Sequence, residues 1–373
     1  MKIVILGLSI TSSWGNGHAT TYRGLVRELV RRGHDLLFLE RNQPWYAANR
    51  DLPNPPFGRT EVYHTIPQLK SQFAAEIADA DCVIVGSFVP DGIAIGEWVT
   101  QNASGVTAFY DIDTPITLAK VARANCDYLS AGLISRYDAY LSFTGGPTLN
   151  LLEAEYGSPM ARALYCSVDS TLYFPEKRAK KWALGYLGTF SQDRQPTLNS
   201  LLLAPATMWP VGRFVVAGPQ YPRAIKWPAN VKRVVHLNPK DHRAFYNSQR
   251  FTLNITRAAM VRAGFSPSVR LFEAAACGTP ILTDAWPGLE TIFEPDSEIL
   301  VVNTAADVLC ILQDLPENMA RAIANRARER VLAEHTAEHR AAELERIIAE
   351  AGAPGVERKA LATAALEREE VTS

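Results

Sequence analysis

Several things are scarce in this 373-residue chain, and each scarcity excludes something. Cysteine is rare: Cys82, Cys126, Cys166, Cys277 and Cys310 are scattered, odd in number and without disulfide or zinc spacing. That excludes a disulfide-stapled scaffold and fits small core residues of a reducing compartment, so the cytoplasm is the expected location. An excess of one charge is missing, since 38 basic and 39 acidic residues leave a net −1. A general affinity for nucleic acid or an anionic membrane is thereby excluded, although a local basic patch is not. No apolar run is long enough to span a bilayer. Met1 to Gly7 is apolar only briefly before polar residues follow, so it reads as a buried strand and not as a signal peptide. A Walker A sequence, a complete Gly-x-Gly-x-x-Gly and a Gly-x-Ser-x-Gly elbow are all absent. Their absence removes the usual marks of P-loop proteins, dinucleotide-binding oxidoreductases and serine hydrolases.

What is present is an apolar fraction of 47% and a repeated strand–helix rhythm. The length predicts two domains of roughly 150 to 180 residues. Strands are expected over 2–7, 35–40, 82–85, 106–110 and 139–142, with an amphipathic helix over 18–32 carrying Tyr22, Leu25, Val26, Leu29 and Val30 on one stripe. The rhythm restarts with strands over 184–188, 213–217, 233–237, 251–255, 279–283 and 299–302. Alternation of this kind predicts parallel sheets wrapped by helices, hence an α/β fold of two doubly wound, Rossmann-like domains facing a central cleft. The expected division is residues 1–168 on the acceptor side, 169–334 on the donor side, and a terminal helix with a frayed tail over 335–373. Ligands are expected in loops after strands.

The most informative stretch runs from Ser266 to Asp284. Ser266 before Pro267 suggests an N-cap followed by proline at the first helical position. A helix N-terminus offers free N–H groups and partial positive charge, which suits phosphate, and Ser268 and Arg270 lie in that region. Val269, Phe272 and Ala276 form a packing stripe, and Glu273 lies on the turn beyond it. A lone glutamate is ordinarily a surface residue, but the apolar flanks of Glu273 argue for a partner. One carboxylate in this setting can grip the two hydroxyls of a ribose. Arg270, three residues before it, either pairs with Glu273 or faces phosphate.

The run Arg270-Leu271-Phe272-Glu273-Ala274-Ala275-Ala276-Cys277-Gly278-Thr279-Pro280, with Asp284 and Trp286-Pro287-Gly288-Leu289-Glu290, resembles the CgeB-like (spore-maturation-type) glycosyltransferases. These are relatives of glycosyltransferase family 4 with the GT-B fold. The stretches Ser13 to His18, Tyr110 to Pro115, Gly185 to Ser191 and Val215 to Pro219 are similar to the same family, up to about Leu332. The resemblance implies transfer of a sugar from a nucleoside diphosphate donor, UDP-, GDP- or dTDP-linked, to a hydroxyl acceptor. It implies no resident cofactor or metal and, for family 4, retention of configuration. Glu273 is implied to hold the donor ribose, and Gly188 and Thr189 to lie beside the diphosphate. Family 4 enzymes often carry a further acid at the position of Phe265, so a contact of that acid with the sugar is not expected.

Other residues are candidates by position. Gly15 and Gly17, in the loop after the first strand, let backbone approach a ligand, and His18 would bond a donor phosphate or an acceptor hydroxyl. Asp111 and Asp113 end the strand over 106–110 with their carboxylates expected on one side. Asp113 or Thr114 either caps the helix at Pro115, or Asp111 anchors an acceptor hydroxyl, or the pair holds a divalent ion as in GT-A enzymes. The two-domain rhythm disfavours the metal. Arg257 and Arg194 are candidates for meeting leaving-group charge, Arg257 first because it follows a strand. His335-Thr336-Ala337-Glu338-His339 matches a zinc-protease pattern, but lies in a terminal Glu/Ala/Arg helix and lacks an evident third ligand. The alternatives to transfer are a nucleotide-sugar epimerase of the same fold and a silent nucleotide-sugar-binding protein. The acceptor is open among polysaccharide, protein, small molecule and nucleic acid.

Overall fold

The computed structural model describes residues 1–353; the tail expected beyond that point lies outside the described residues. The chain forms two compact units. Among the described residues the first comprises Met1–Ser12, Leu25–Tyr165 and residues 338–353; the second comprises Ser13–Gly24 and Cys166–Ala337.

The first unit contains β1 (Lys2–Gly7), β2 (Asp35–Arg41), β3 (Arg59–Tyr63), β4 (Cys82–Gly86), β5 (Val106–Asp111), β6 (Ala139–Ser142) and β7 (Ala161–Ala163). They form one parallel sheet in the order β3-β2-β1-β4-β5-β6-β7. Ile3 pairs with Leu36 on one side and with Cys82 on the other. The central strands read as continuous apolar runs because helices cover both faces of a parallel sheet. β3 and β7, which the apolar pattern did not reveal, are edge strands. Arg59-Thr60-Glu61-Val62-Tyr63 buries only Tyr63 fully, and Ala161–Ala163 is three residues long. The helix Ala337–Gly352 packs into this unit through Arg32 and His34, both bonded to Glu345 at 2.6–2.8 Å.

The second unit contains β8 (Trp182–Leu187), β9 (Phe214–Ala217), β10 (Val231–Val234), β11 (Gln249–Asn254), β12 (Ile281–Thr283) and β13 (Leu300–Val301). Their parallel order, β10-β9-β8-β11-β12-β13, repeats the reversal of the first sheet. Strand order therefore switches between β1 and β4 and again between β8 and β11, where the connections diverge and open a crevice at the strand carboxyl ends. β10 starts two residues before the expected strand and ends at Val234; Val235 is already 73% exposed. The helical stretch Gln195–Met208 contains a π-turn over Asn199–Leu203. Pro205 lies just beyond it and has no N–H to give to the preceding turn, which accounts for the widened helix there.

Candidate functional site at the switch point of the second sheet

The helix Val269–Ala276 is buried on every side, with Leu271, Phe272, Ala274, Ala275 and Ala276 fully enclosed. It starts later than the Ser266–Pro267 pair suggested, and Ser268 is its N-cap residue. Gly264 and Phe265, both with positive φ (70° and 47°), turn the chain sharply before it. Phe265 is a bulky residue in a conformation that favours glycine, and its ring lies where a Cβ on Gly288 would be, 2.5 Å away. The Ser268 hydroxyl donates to Asn254 Oδ1 at 2.8 Å and makes no cap bond, so the first turn keeps its N–H groups unmet by that side chain.

Two charged residues on a buried helix each require partners. Arg270 and Glu273 find them separately. Arg270 Nε donates to the Leu187 carbonyl at the end of β8, and Nη1 donates to Asn254 Oδ1 at the end of β11, 2.6 Å away. Its guanidinium lies 4.8 Å from the centre of the Tyr186 ring. Arg270 thus spans the two strands that flank the switch point. Its Nη2 is turned toward Gly188: a Cβ there would sit 3.0 Å from Nη2 and 2.6 Å from the Tyr186 hydroxyl. A Cβ at 188 would force Tyr186 and Arg270 to shift, and at Gly218 beside it a Cβ would strike the Gly188 carbonyl at 2.0 Å.

Glu273, 3% exposed, accepts from the Tyr246 hydroxyl at 3.0 Å and lies 3.7 Å from His242 Nδ1. Tyr173 closes the cluster, its hydroxyl 3.2 Å from His242 Nδ1. Burial, and then the Glu273 charge, push the Tyr246 and Tyr173 phenols well above their ordinary range, so both stay protonated and able to donate. These three partners were not found from the sequence. They lie on a helix and a linker far from Glu273 along the chain, and no local pattern marks them.

The loops after β8, β11 and β12 are tied together by acids. Asp193 accepts from the Ala258 N–H at 3.0 Å and from Ser191, and stands 3.7 Å from Arg257 Nε. Burial alone would raise its carboxyl; the Ser191 hydroxyl, Arg257 and the Ala258 N–H outweigh that and hold it below the usual range. Arg194 Nη2 donates to the Thr189 carbonyl at 2.8 Å. Asp284 accepts from both the N–H and the hydroxyl of Thr256 at 3.0–3.1 Å, and burial raises its carboxyl. A pocket of about 600 Å³ opens here, lined by Asp193, Thr197, Ser200, Thr256, Asp284 and Asn303 among others.

The structure therefore brings Gly188, Thr189, Ser268 and Arg270 together, with Arg257 on the neighbouring loop. Gly15, Gly17 and His18 belong to the second unit through the segment Ser13–Gly24, and Asp111 and Asp113 belong to the first. Gly15 and Gly17 are exposed, and a Cβ on either would meet no protein atom within 4 Å. Gly15 has φ +62°, which accounts for glycine there. Burial pushes the His18 imidazole down to about 3, so the ring is neutral near pH 7.

In the first unit, Asp111 is fully buried. It accepts from the Tyr140 hydroxyl (2.5 Å), the Thr117 hydroxyl (2.8 Å) and the Asp113 N–H (3.2 Å). Burial raises its carboxyl, an effect those donors oppose. Asp113 is half-buried, stands at the N-cap of the helix Thr114–Val121 and makes no side-chain cap bond. The two carboxylates are thus not a matched pair: Asp111 is an internal strut that holds the backbone of Asp113. Glu40, at the end of β2, is fully buried and accepts from the N–H groups of Ile10 and Thr11 and the Thr11 hydroxyl at 2.7–3.0 Å. An acid near this position binds ribose in dinucleotide sites, but here the chain's own loop occupies it. Among the described residues no group of three or more His, Cys, Asp or Glu is placed to hold a metal ion, and the His335 ring stacks on Phe272 at 4.9 Å. No helix among them is long and apolar enough to cross a membrane.

Known structures share this architecture. Sucrose-phosphate synthase from Thermosynechococcus elongatus superposes with a TM-score of 0.67 at 16% identity, covering 93% of this chain and 98% of that one. Anabaena HepE, solved with UDP and glucose, gives 0.70 at 11% identity, covering 94% and 99%. An alpha-glucosyltransferase (AGT) solved with UDP gives 0.67 at 12% identity, covering 94% and 100%. At these identities the likeness establishes the fold: two Rossmann-like parallel-sheet units, as in GT-B glycosyltransferases. No curated protein matches the sequence. Residues 194–346, which carry Arg257, Ser268, Arg270 and Glu273, match the family described as glycosyl transferase-like.

Proposed function

We propose that this protein transfers a glycosyl group from a nucleoside diphosphate sugar to a hydroxyl acceptor. The observation that carries the reading is the meeting of Arg270, the Gly188–Thr189 backbone and the first turn of Val269–Ala276 at the switch point between β8 and β11. Fixed N–H groups and a guanidinium at one helix start suit a diphosphate, and would stabilise the charge that grows on it as it leaves. Glu273, on the same helix, is the group for the ribose hydroxyls. Arg257 is placed to add positive charge from the adjoining loop.

In the transfer, the acceptor oxygen forms a bond to the sugar's anomeric carbon as the bond from that carbon to the diphosphate oxygen breaks. The diphosphate leaves with the electron pair, and the acceptor's proton goes to a base. Asp113 is the candidate for that base, held in place by Asp111. His18, neutral near pH 7, suits a hydrogen-bonding role better than a basic one. Retention of configuration and membership of the CgeB-like branch rest on the sequence resemblance alone. Four buried cysteines and one exposed, none of them in a disulfide, accord with action in the cytoplasm.

The glycosyl transferase-like match over residues 194–346 favours transfer over epimerisation or silent binding. UDP is the first nucleotide to try, since HepE and AGT were solved with it. The test is nucleotide release from UDP-, GDP- and dTDP-sugars with and without a pool of hydroxyl acceptors. Acceptor-dependent release supports transfer. Epimer formation from donor alone would replace transfer by epimerisation, and binding without turnover in any pool would replace it by the silent role.

A further inference from the structure

We propose that Tyr221, braced by Arg233 and Trp227, is a positioning residue that aims the Thr189 N–H at the donor diphosphate. The inference rests on the proposed function and adds the device that orients one of its groups.

β8 lies between β9 and β11, and its last peptides are fixed from both sides. The Leu187 carbonyl is taken by Arg270 from the β11 side. The Gly188 N–H donates to Ala217 O at 2.9 Å, on the β9 side. The Gly188 carbonyl also faces that side, where it accepts from the Tyr221 hydroxyl at 3.1 Å and lies against Gly218. A trans peptide sets its N–H opposite its carbonyl, and the described residues contain no cis bond. With the Gly188 carbonyl fixed toward β9, the Thr189 N–H is directed toward β11, where Arg270 and the helix start lie. The next residue returns to the β9 side, the Phe190 N–H donating to Pro219 O at 3.0 Å. Among the described residues the Thr189 N–H has no acceptor.

Tyr221 is itself held firmly. The Arg233 guanidinium lies 4.1 Å from the Tyr221 ring centre and 4.4 Å from that of Trp227. It donates to the Val216 carbonyl and, at 3.0 Å, to the Gly218 carbonyl. Phe190 meets the Tyr221 ring edge-on with centres 5.6 Å apart. The Tyr221 and Trp227 rings meet edge-on with centres 5.4 Å apart, and the Arg233 cation packs on both while bonded to the end of β9, which holds Tyr221 in one orientation. Burial raises the Tyr221 phenol, so it remains a donor across the physiological range. Tyr221 touches neither the reacting atoms nor, in this account, the donor; it acts through the Gly188–Thr189 peptide.

The test is Tyr221→Phe, which keeps the ring stack and removes only the hydroxyl. The probes are UDP, GDP and dTDP with their nucleosides uridine, guanosine and thymidine, titrated calorimetrically. The nucleoside diphosphate that the wild type binds is expected to weaken about five- to tenfold, the scale of one hydrogen bond. The matching nucleoside should bind unchanged, and in turnover KM should rise more than kcat falls. Thr189→Pro, which deletes the N–H itself, should lose at least as much diphosphate affinity with the same indifference to the nucleoside. Equal weakening of diphosphate and nucleoside would make Tyr221 merely structural and overturn the inference, as would no change in either variant. If the wild type binds none of the three diphosphates, the proposed function itself fails, an outcome distinguished by the wild type alone.

Discussion

Glu273 offers the most exacting prediction because its partners are few and known. In Glu273→Ala the carboxylate is lost and the Tyr246 hydroxyl, donating at 3.0 Å in a fully buried side chain, is left unsatisfied. A hydrogen bond to a charged group contributes about 1.5–3 kcal/mol, and an orphaned buried donor adds to the cost, so destabilisation of about 3 kcal/mol is expected. Melting temperature should then fall by roughly 6–12 °C, at 2–4 °C per kcal/mol for a unit of this size. Glu273→Gln keeps an acceptor for Tyr246 and should cost about 1 kcal/mol. Ligand affinity separates the local role from a ribose role. If Glu273 grips ribose hydroxyls, the wild type should bind UDP about tenfold more tightly than 2′-deoxy-UDP, and that preference should vanish in Glu273→Gln. The assay is a calorimetric cycle of two proteins and two ligands. A glutamine variant that melts as expected yet keeps the full ribose preference would refute the assignment and leave Glu273 a structural acceptor for Tyr246.

Further outcomes follow from the first unit. Glu345 is held to about 2, chiefly by hydrogen bonds from Arg32 and then His34, against a desolvation that opposes them. Its folded pKa lies below the unfolded value of about 4.3, so its contribution is complete above that value and is lost as pH falls toward 2. Urea denaturation of wild type between pH 5 and 2 should show this loss, and Glu345→Gln should flatten it; equal slopes would remove Glu345 from the docking of Ala337–Gly352. Asp111→Ala strands the Tyr140 hydroxyl and the Asp113 N–H and leaves the Thr117 hydroxyl only Tyr128, so stability should drop by about 3 kcal/mol with activity following it. Asp113→Asn should instead lower kcat at least tenfold with the melting temperature nearly unchanged, and an unaffected kcat would remove Asp113 as the base.

Much of the fold was legible where the physics is local. β1 and β6 begin and end as their mainly apolar runs do, because parallel strands are covered by helices on both faces. β3 was not legible, since an edge strand keeps one side in water and Arg59 and Glu61 break the pattern. The helix carrying Glu273 could be recognised, but its start could not be fixed at Ser266. The turn at Gly264 and Phe265 delays it, and a phenylalanine at positive φ is not anticipated from sequence. Whether Arg270 faced Glu273 or a strand end was decided by Leu187 and Asn254, which reach it only through sheet topology. The same holds for Asp111 and Asp113: two acids one residue apart looked equivalent, and only the burial supplied by Tyr140 and Thr117 separates them.

The central claim is that the second sheet's switch point binds the diphosphate of a sugar donor, and a thermal-shift titration of wild type and Arg270→Met with UDP-, GDP- and dTDP-sugars tests it most directly. Ligand at 100 times its Kd should stabilise the wild type by about 2.7 kcal/mol, a rise of roughly 5–10 °C. One donor class should produce this rise, and Arg270→Met should lose most of it while the matching nucleoside shifts both proteins alike. A wild type that no nucleoside diphosphate sugar stabilises, or a methionine variant that responds as fully as the wild type, would contradict it.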